Sequence, residues 1–255
     1  MNDEYDDDDR EPDHVRDGVL TFDPLPTQLG FCGSRAKIVV ALGGNSSGKT
    51  EVLCRLAGWE LLNGSRAGRI PVHGWCVRPS YSEDIRTDPV FAKLWFGDGG
   101  RPPIIPYPFQ RRLFGNPKKV MELNNDSTLS IRTWNQGFAR QQGHGPDFIM
   151  VDEECDDQFF TELAVRMFRR PKGWIGVAIT DTLAPHWVLD LVERFERGDK
   201  RVFVVRMDTH DNTYIDQEQV NAFSDFMDDI EKSVRLGGGL IMTKGRVYSC
   251  WSDAN

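Results

Sequence analysis

Eight residues, Gly43-Gly44-Asn45-Ser46-Ser47-Gly48-Lys49-Thr50, fit the pattern G-x-x-x-x-G-K-[ST]. The chemistry such a stretch serves is the holding of a polyphosphate. Glycines let the backbone wrap closely, the loop N–H groups point inward at a helix N-terminus, and the Lys49 ammonium reaches the β and γ phosphates. The Thr50 hydroxyl is placed to hold Mg2+. A second set of reactive groups follows about a hundred residues on, at Asp152-Glu153-Glu154. A carboxylate beside such a loop holds Mg2+ through water, a role given to Asp152. The next carboxylate, Glu153, polarises an attacking water, with Glu154 as the alternative base. Acids at a helix N-terminus are favourable without any catalysis. Here the loop upstream in the same chain gives them a task.

These groups need elements to carry them. Lys37–Leu42 is a β-branched apolar run of buried-strand length. Val52, Leu53, Leu56, Ala57, Trp59 and Leu61 recur at helical spacing behind the loop, giving strand, turn, helix. Phe148-Ile149-Met150-Val151 is a second buried strand that runs into the acids. Further strands are predicted at 73–77, 174–180 and 201–207, and a hairpin at 118–134 around Asn124-Asn125-Asp126. Helices are predicted at 83–96, where Pro89 marks a start or a break, and at 159–168 and 187–195, with a long proline- and glycine-rich loop over 97–117. Polar Thr180-Asp181-Thr182 close one strand on the side where such sheets bind ligands. Residues 215–236 carry helical periodicity alone. Gln28 lies fifteen residues before Gly43, where its amide is placed to read an adenine edge or simply to cap a helix.

Composition bounds the class. At 255 residues, 39% hydrophobic and 27% charged, the chain has the make-up of a globular protein able to bury a substantial core. No apolar run approaches a membrane span, so no membrane partner is expected. Five widely spaced cysteines, Cys32, Cys54, Cys76, Cys155 and Cys250, form no C-x-x-C pair. They read as reduced thiols, not a disulfide framework or zinc site. The net charge of −8 is concentrated in residues 1–17, which hold nine acids and two bases. Residues 1–20 are therefore expected to be a disordered acidic tail, and the remainder is nearly neutral. Net charge accordingly neither supports nor excludes nucleic acid.

Taken together, the motifs resemble the large terminase subunit of tailed bacteriophages, the genome-packaging motor. The resemblance covers about residues 22–251. It rests on Gln28, Phe31 and Ser34 ahead of the glycine-rich loop, and on Gln142-Gly143 leading through an apolar strand to Glu154. Thr180-Asp181-Thr182 with Pro185-His186-Trp187, Asp211-Asn212 and Gly245-Arg246-Val247-Tyr248 complete it. It implies a P-loop ATPase of the additional-strand type that hydrolyses ATP with Mg2+ and moves double-stranded DNA. The motor would assemble as a ring on the portal protein of a procapsid, with a small terminase subunit as a further partner. Its place would be the host cytoplasm and, transiently, the portal vertex. The resemblance also implies a coupling role for Thr180, Asp181 and Thr182, and an arginine finger offered to a neighbour's nucleotide, for which Arg140 fits by position. The family's nuclease domain would begin where this chain stops, so DNA cleavage is not expected of it. The expected division is an ATPase core over 21–207, a helical lid over 208–245 and the start of a linker over 246–255. The expected fold is α/β, a mainly parallel sheet with helices on both faces. Two rivals remain: a helicase-like P-loop ATPase, and a non-catalytic nucleotide-gated assembly module.

Overall fold

Strand β1 (Ile38–Gly43) is buried along its whole length and feeds the glycine-rich loop directly into helix α2 (Lys49–Asn63). A computed structural model describes residues 24–80, 85–114, 119–134, 145–180 and 185–237. Alternate residues of β1 go to opposite faces, so a strand apolar at every position needs cover on both sides. It has that cover. Val39 and Ala41 join a core with α2, while Ile38, Val40 and Leu42 join a second core on the other face.

The remaining strands are β2 (His73–Arg78), β3 (Gln110–Phe114), β4 (Val120–Leu123), β5 (Thr128–Thr133), β6 (Phe148–Asp152), β7 (Trp174–Ile179) and β8 (Val202–Met207). They form one sheet in the order β3-β4-β5-β2-β6-β7-β1-β8. The six strands from β5 to β8 are parallel, whereas β4 runs antiparallel to both β5 and β3. Strand β7 lies between β1, which leads into the phosphate loop, and β6, which ends in Asp152. That intervening strand makes this the additional-strand form of the P-loop fold.

Helix α1 (Pro26–Gly33) packs on β8 and α2. Helices α4 (Asp157–Phe168) and α5 (His186–Glu196) cover the second face, contributing Phe159, Phe160, Leu163, Trp187, Val188 and Leu191 to its core. After β8 come a single 3-10 turn at Thr209–Asp211, then α6 (Gln217–Ser224) and α7 (Asp229–Arg235), with no strand among the described residues of that segment.

One expectation is narrowed and one corrected. Over 83–96, where Pro89 marks a helix start or a break, the described residues become helical at Pro89: α3 (Pro89–Phe91) opens after Asp88, whose carboxylate accepts from the N–H groups of Val90 and Phe91. It passes at once into a π-helical turn, Ala92–Phe96. Proline at the first helical position sets that boundary. The loop predicted over 97–117 contains β3, an edge strand of sequence Gln-Arg-Arg-Leu-Phe whose charges hide its strand character. Charged residues are common on exposed edges, where they discourage pairing with another chain. The expected tail at 1–20 and linker at 246–255 lie outside the described residues.

Candidate active site

The loop from Gly43 to Thr50 turns tightly because two of its residues adopt left-handed backbone. Ser46 has φ 62° and Gly48 has φ 88°. Gly48 is the N-cap of α2, so the loop amides and the positive end of a fifteen-residue helix face the same space. Lys49 is buried, and its Nζ donates to the Gly44 carbonyl at 2.7 Å. Burial pulls its pKa down to about 8, with Asp152, Glu153 and Glu154 opposing that shift. A cation held there without an anion is unfavourable, and phosphate oxygens would relieve it.

The two groups expected to hold metal meet: Thr50 Oγ1 donates to Asp152 Oδ1 at 2.9 Å, across 102 residues of chain. Asp152 is buried at the end of β6, and burial raises its pKa while Arg78, the Thr50 hydroxyl and Lys49 hold it down. Among the described residues no cluster of three or more His, Cys, Asp or Glu side chains is suited to caging a metal. One hydroxyl and one carboxylate nevertheless fit Mg2+, which keeps several waters and takes its other oxygens from substrate phosphates.

Glu153 follows Asp152 with φ 76°, a left-handed conformation unusual for a glutamate. Its N–H donates to the Ala178 carbonyl of β7 at 2.9 Å, which fixes the turn. Its side chain stands at the surface, as does that of Glu154. Partial desolvation, and then the charge of Asp152, raise the Glu153 pKa.

Gln28 is buried with its amide committed at both ends. Oε1 accepts from Leu25 N–H at 2.9 Å, and Nε2 donates to the Gly48 carbonyl at 3.3 Å. It thus braces the loop at Gly48, where an added Cβ would strike its amide, and it lines the cavity in front of the loop. Thr180 follows β7 on the same end of the sheet. Arg140, Asp181 and Thr182 lie outside the described residues.

Several contacts were not foreseen. Arg78, at the end of β2 beside β6, bridges two carboxylates: Nε lies 3.2 Å from Asp152 Oδ2 and Nη1 lies 2.8 Å from Asp88 Oδ1. The segment after β8 also grips the phosphate loop. Thr209 Oγ1 donates to the Asn45 carbonyl at 2.7 Å, and Asn212 Nδ2 donates to the Ser46 carbonyl at 2.6 Å. The Asn45 N–H donates to the Arg235 carbonyl at the end of α7, also at 2.6 Å. Arg78-Pro79 at a strand's ligand-side end was the one sequence signal for the first contact. Asp211-Asn212 was the signal for the second.

The close fit at Gly44 gives a test. A Cβ there would collide with the carbonyls of Leu236 and Arg235 and with the Thr209 hydroxyl. Gly44→Ala is expected to cost about 1–3 kcal/mol, the usual range for overpacking, and to speed amide hydrogen exchange in α7. Unchanged exchange and melting temperature would show that the segment does not bear on the loop.

With this geometry in view, the sequence model of the family described as terminase large subunit, T4likevirus-type, N-terminal, matches residues 40–250. The chain belongs to the terminase large-subunit family. Its fold is shared with solved terminases. The ATPase domain of the large terminase of Thermus phage P74-26 superposes with a TM-score of 0.64 at 17% identity, covering 88% of this chain and 96% of that one. The large terminase of the thermophilic bacteriophage D6E gives 0.62 at 11% identity, covering 91% and 57%. That of bacteriophage HK97 gives 0.54 at 13%, covering 84% and 46%. This terminase chain thus spans about half the length of the D6E and HK97 proteins. No curated protein sequence matches it.

Proposed function

We propose that the chain is the ATP-hydrolysing part of a DNA-packaging motor, using Mg2+ held by Thr50 and Asp152. The observation that carries this reading is the convergence of Lys49, Thr50, Asp152 and Glu153 at one end of a sheet of additional-strand order. The D6E large terminase has been solved with ATP-γ-S and with ADP, which supports a nucleotide as the ligand of this fold.

The residues divide the chemistry between them. Loop amides and Lys49 orient the triphosphate and spread the charge that builds on its γ oxygens. Bound Mg2+ supplies further charge neutralisation. Glu153 accepts a proton from water as the water oxygen bonds to the γ-phosphorus. The bond from that phosphorus to the bridging oxygen breaks, and ADP leaves with the electron pair. Asp152, buried and facing Arg78 Nε at 3.2 Å, is placed to hold a metal, not to take this proton. The rival without catalysis has no use for a carboxylate held on a left-handed backbone beside the loop.

The wider assignment comes from family membership: double-stranded DNA as cargo, portal protein and small terminase subunit as partners, a ring at the portal vertex, and host cytoplasm as the setting. Thr180, with Asp181 and Thr182, is proposed to pass the hydrolysis event to DNA movement. Phosphate release from ATP by the purified protein, faster with DNA and portal present, is the expected result. No release under either condition would sink the reading. Arg140 is proposed to complete a neighbour's site. Mixed Arg140→Ala and Glu153→Gln subunits should regain part of the activity each lacks, and mixing that restores nothing in rings of proven mixed composition would assign the arginine to its own subunit.

A further inference from the structure

Behind the proposed metal pair lies a row of buried charges whose outer members the chemistry above does not use. Strands β2 and β6 are neighbours, with Val77 paired to Val151, so the next residues, Arg78 and Asp152, end the two strands side by side. Asp152 divides its carboxylate between two partners. Oδ1 accepts from the Thr50 hydroxyl at 2.9 Å, and Oδ2 faces Arg78 Nε at 3.2 Å. The far end of the guanidinium, Nη1, lies 2.8 Å from Asp88 Oδ1. Asp88 is fully buried and fixed to the start of α3, where Oδ1 also accepts from the N–H groups of Val90 and Phe91 at 3.1 and 3.4 Å. The row therefore runs from a helix start through Asp88 and Arg78 to Asp152 and Thr50, and all of it but Thr50 is buried.

Buried ion pairs add little net stability, because desolvation offsets the attraction. What a planar fork held at both ends does supply is direction. A free aspartate carboxylate turns about its last bond and presents either oxygen, or both. With Oδ2 on Arg78, the oxygen turned toward Thr50 is Oδ1. Mg2+ demands near-octahedral geometry and keeps several waters, so a carboxylate fixed to offer one oxygen suits it. By charge alone Arg78 works against a metal, since both are cations. Orientation and charge thus pull in opposite directions, which lets an experiment separate them.

We infer that Arg78 is a positioning residue for the metal-dependent reaction, holding Asp152 so that Oδ1 is offered beside Thr50, with Asp88 as the anchor of Arg78. The inference rests on the proposed Mg2+ role of Thr50 and Asp152.

The test is Mn2+ binding to the protein–ADP complex, followed by electron paramagnetic resonance, alongside calorimetric binding of ADP in EDTA. Arg78→Lys keeps the charge and loses the fork. It should weaken Mn2+ binding by about 10–100-fold, the usual effect of losing an outer partner of a metal ligand, and hydrolysis should need correspondingly more Mg2+. Arg78→Gln should weaken Mn2+ as well. ADP binding in EDTA should be unchanged in both, because the loop and Lys49 need no metal. Wild-type Mn2+ binding in Arg78→Lys would overturn the inference, and so would tighter binding in Arg78→Gln, since either leaves Arg78 a role in charge alone. An equal loss of metal-free ADP binding would also overturn it, by marking general damage to the site. Should both arginine variants fail to fold, Asp88→Asn decides. Its amide oxygen keeps the helix cap while the charge that anchors Arg78 is lost, so Mn2+ should again bind more weakly with metal-free ADP binding intact, and wild-type Mn2+ binding there counts against the inference. The underlying metal assignment fails separately, if Asp152→Asn binds Mn2+ as wild type does.

Discussion

Lys49→Ala is expected to abolish phosphate release and to weaken nucleotide binding by at least tenfold. In the free protein the Lys49 ammonium is buried and rests on a single backbone carbonyl, with its pKa drawn down to about 8. Polyphosphate oxygens would surround it with negative charge in a poorly solvated space, where such contacts are far stronger than in water. The same charge is needed more as the γ-phosphoryl group loosens, so its loss should fall harder on turnover than on binding. A fall in hydrolysis of more than about a thousandfold is expected, since phosphoryl transfer relies almost wholly on positioning and charge. The folded state should not suffer, because the substitution removes a charge whose burial is unfavourable. Steady-state phosphate release, equilibrium binding and a melting curve together check this. Wild-type turnover in Lys49→Ala would remove the loop from the chemistry.

The parts of the site that were legible in the sequence are those that depend on local pattern. Strand β1, the loop and α2 form one contiguous unit whose apolar period changes from strand to helix across the glycines. Strand β6 likewise announces itself by an apolar run ending in acids. Groups that pair across the chain left weaker marks. Thr50 and Asp152, 102 positions apart, were brought together only by assuming a shared α/β domain, and the hydrogen bond between them bears that assumption out. Arg78 and Asp88 are isolated charges in sequence, and their value lies in β2 being hydrogen-bonded to β6. Strand β3 was missed because an edge strand need not alternate. The grip of Thr209, Asn212 and Arg235 on the phosphate loop uses two backbone carbonyls of the loop and one carbonyl of α7, and carbonyls carry no sequence signature.

Glu153→Gln should keep ATP bound while lowering hydrolysis by two to four orders of magnitude, roughly the worth of a general base. The amide preserves the shape of the carboxylate and removes its ability to take a proton. Because Glu153 holds a left-handed backbone at φ 76°, a second substitution separates catalysis from architecture. A non-glycine residue in that region costs about 1–2 kcal/mol, and glycine adopts it freely. Glycine also adds freedom to the unfolded chain, which offsets part of the gain. Glu153→Gly should therefore be equally inactive yet more stable, by up to about 1 kcal/mol, or roughly 2–4 °C in melting temperature for a chain of this size. A protein both stabilised and inactive is the expected outcome if strain is kept at this turn for the sake of the carboxylate it presents. Glu154→Gln supplies the control, since its side chain is also at the surface and one residue along. If Glu154→Gln traps ATP and Glu153→Gln does not, the base is Glu154, and the left-handed turn at Glu153 serves only to aim its neighbour.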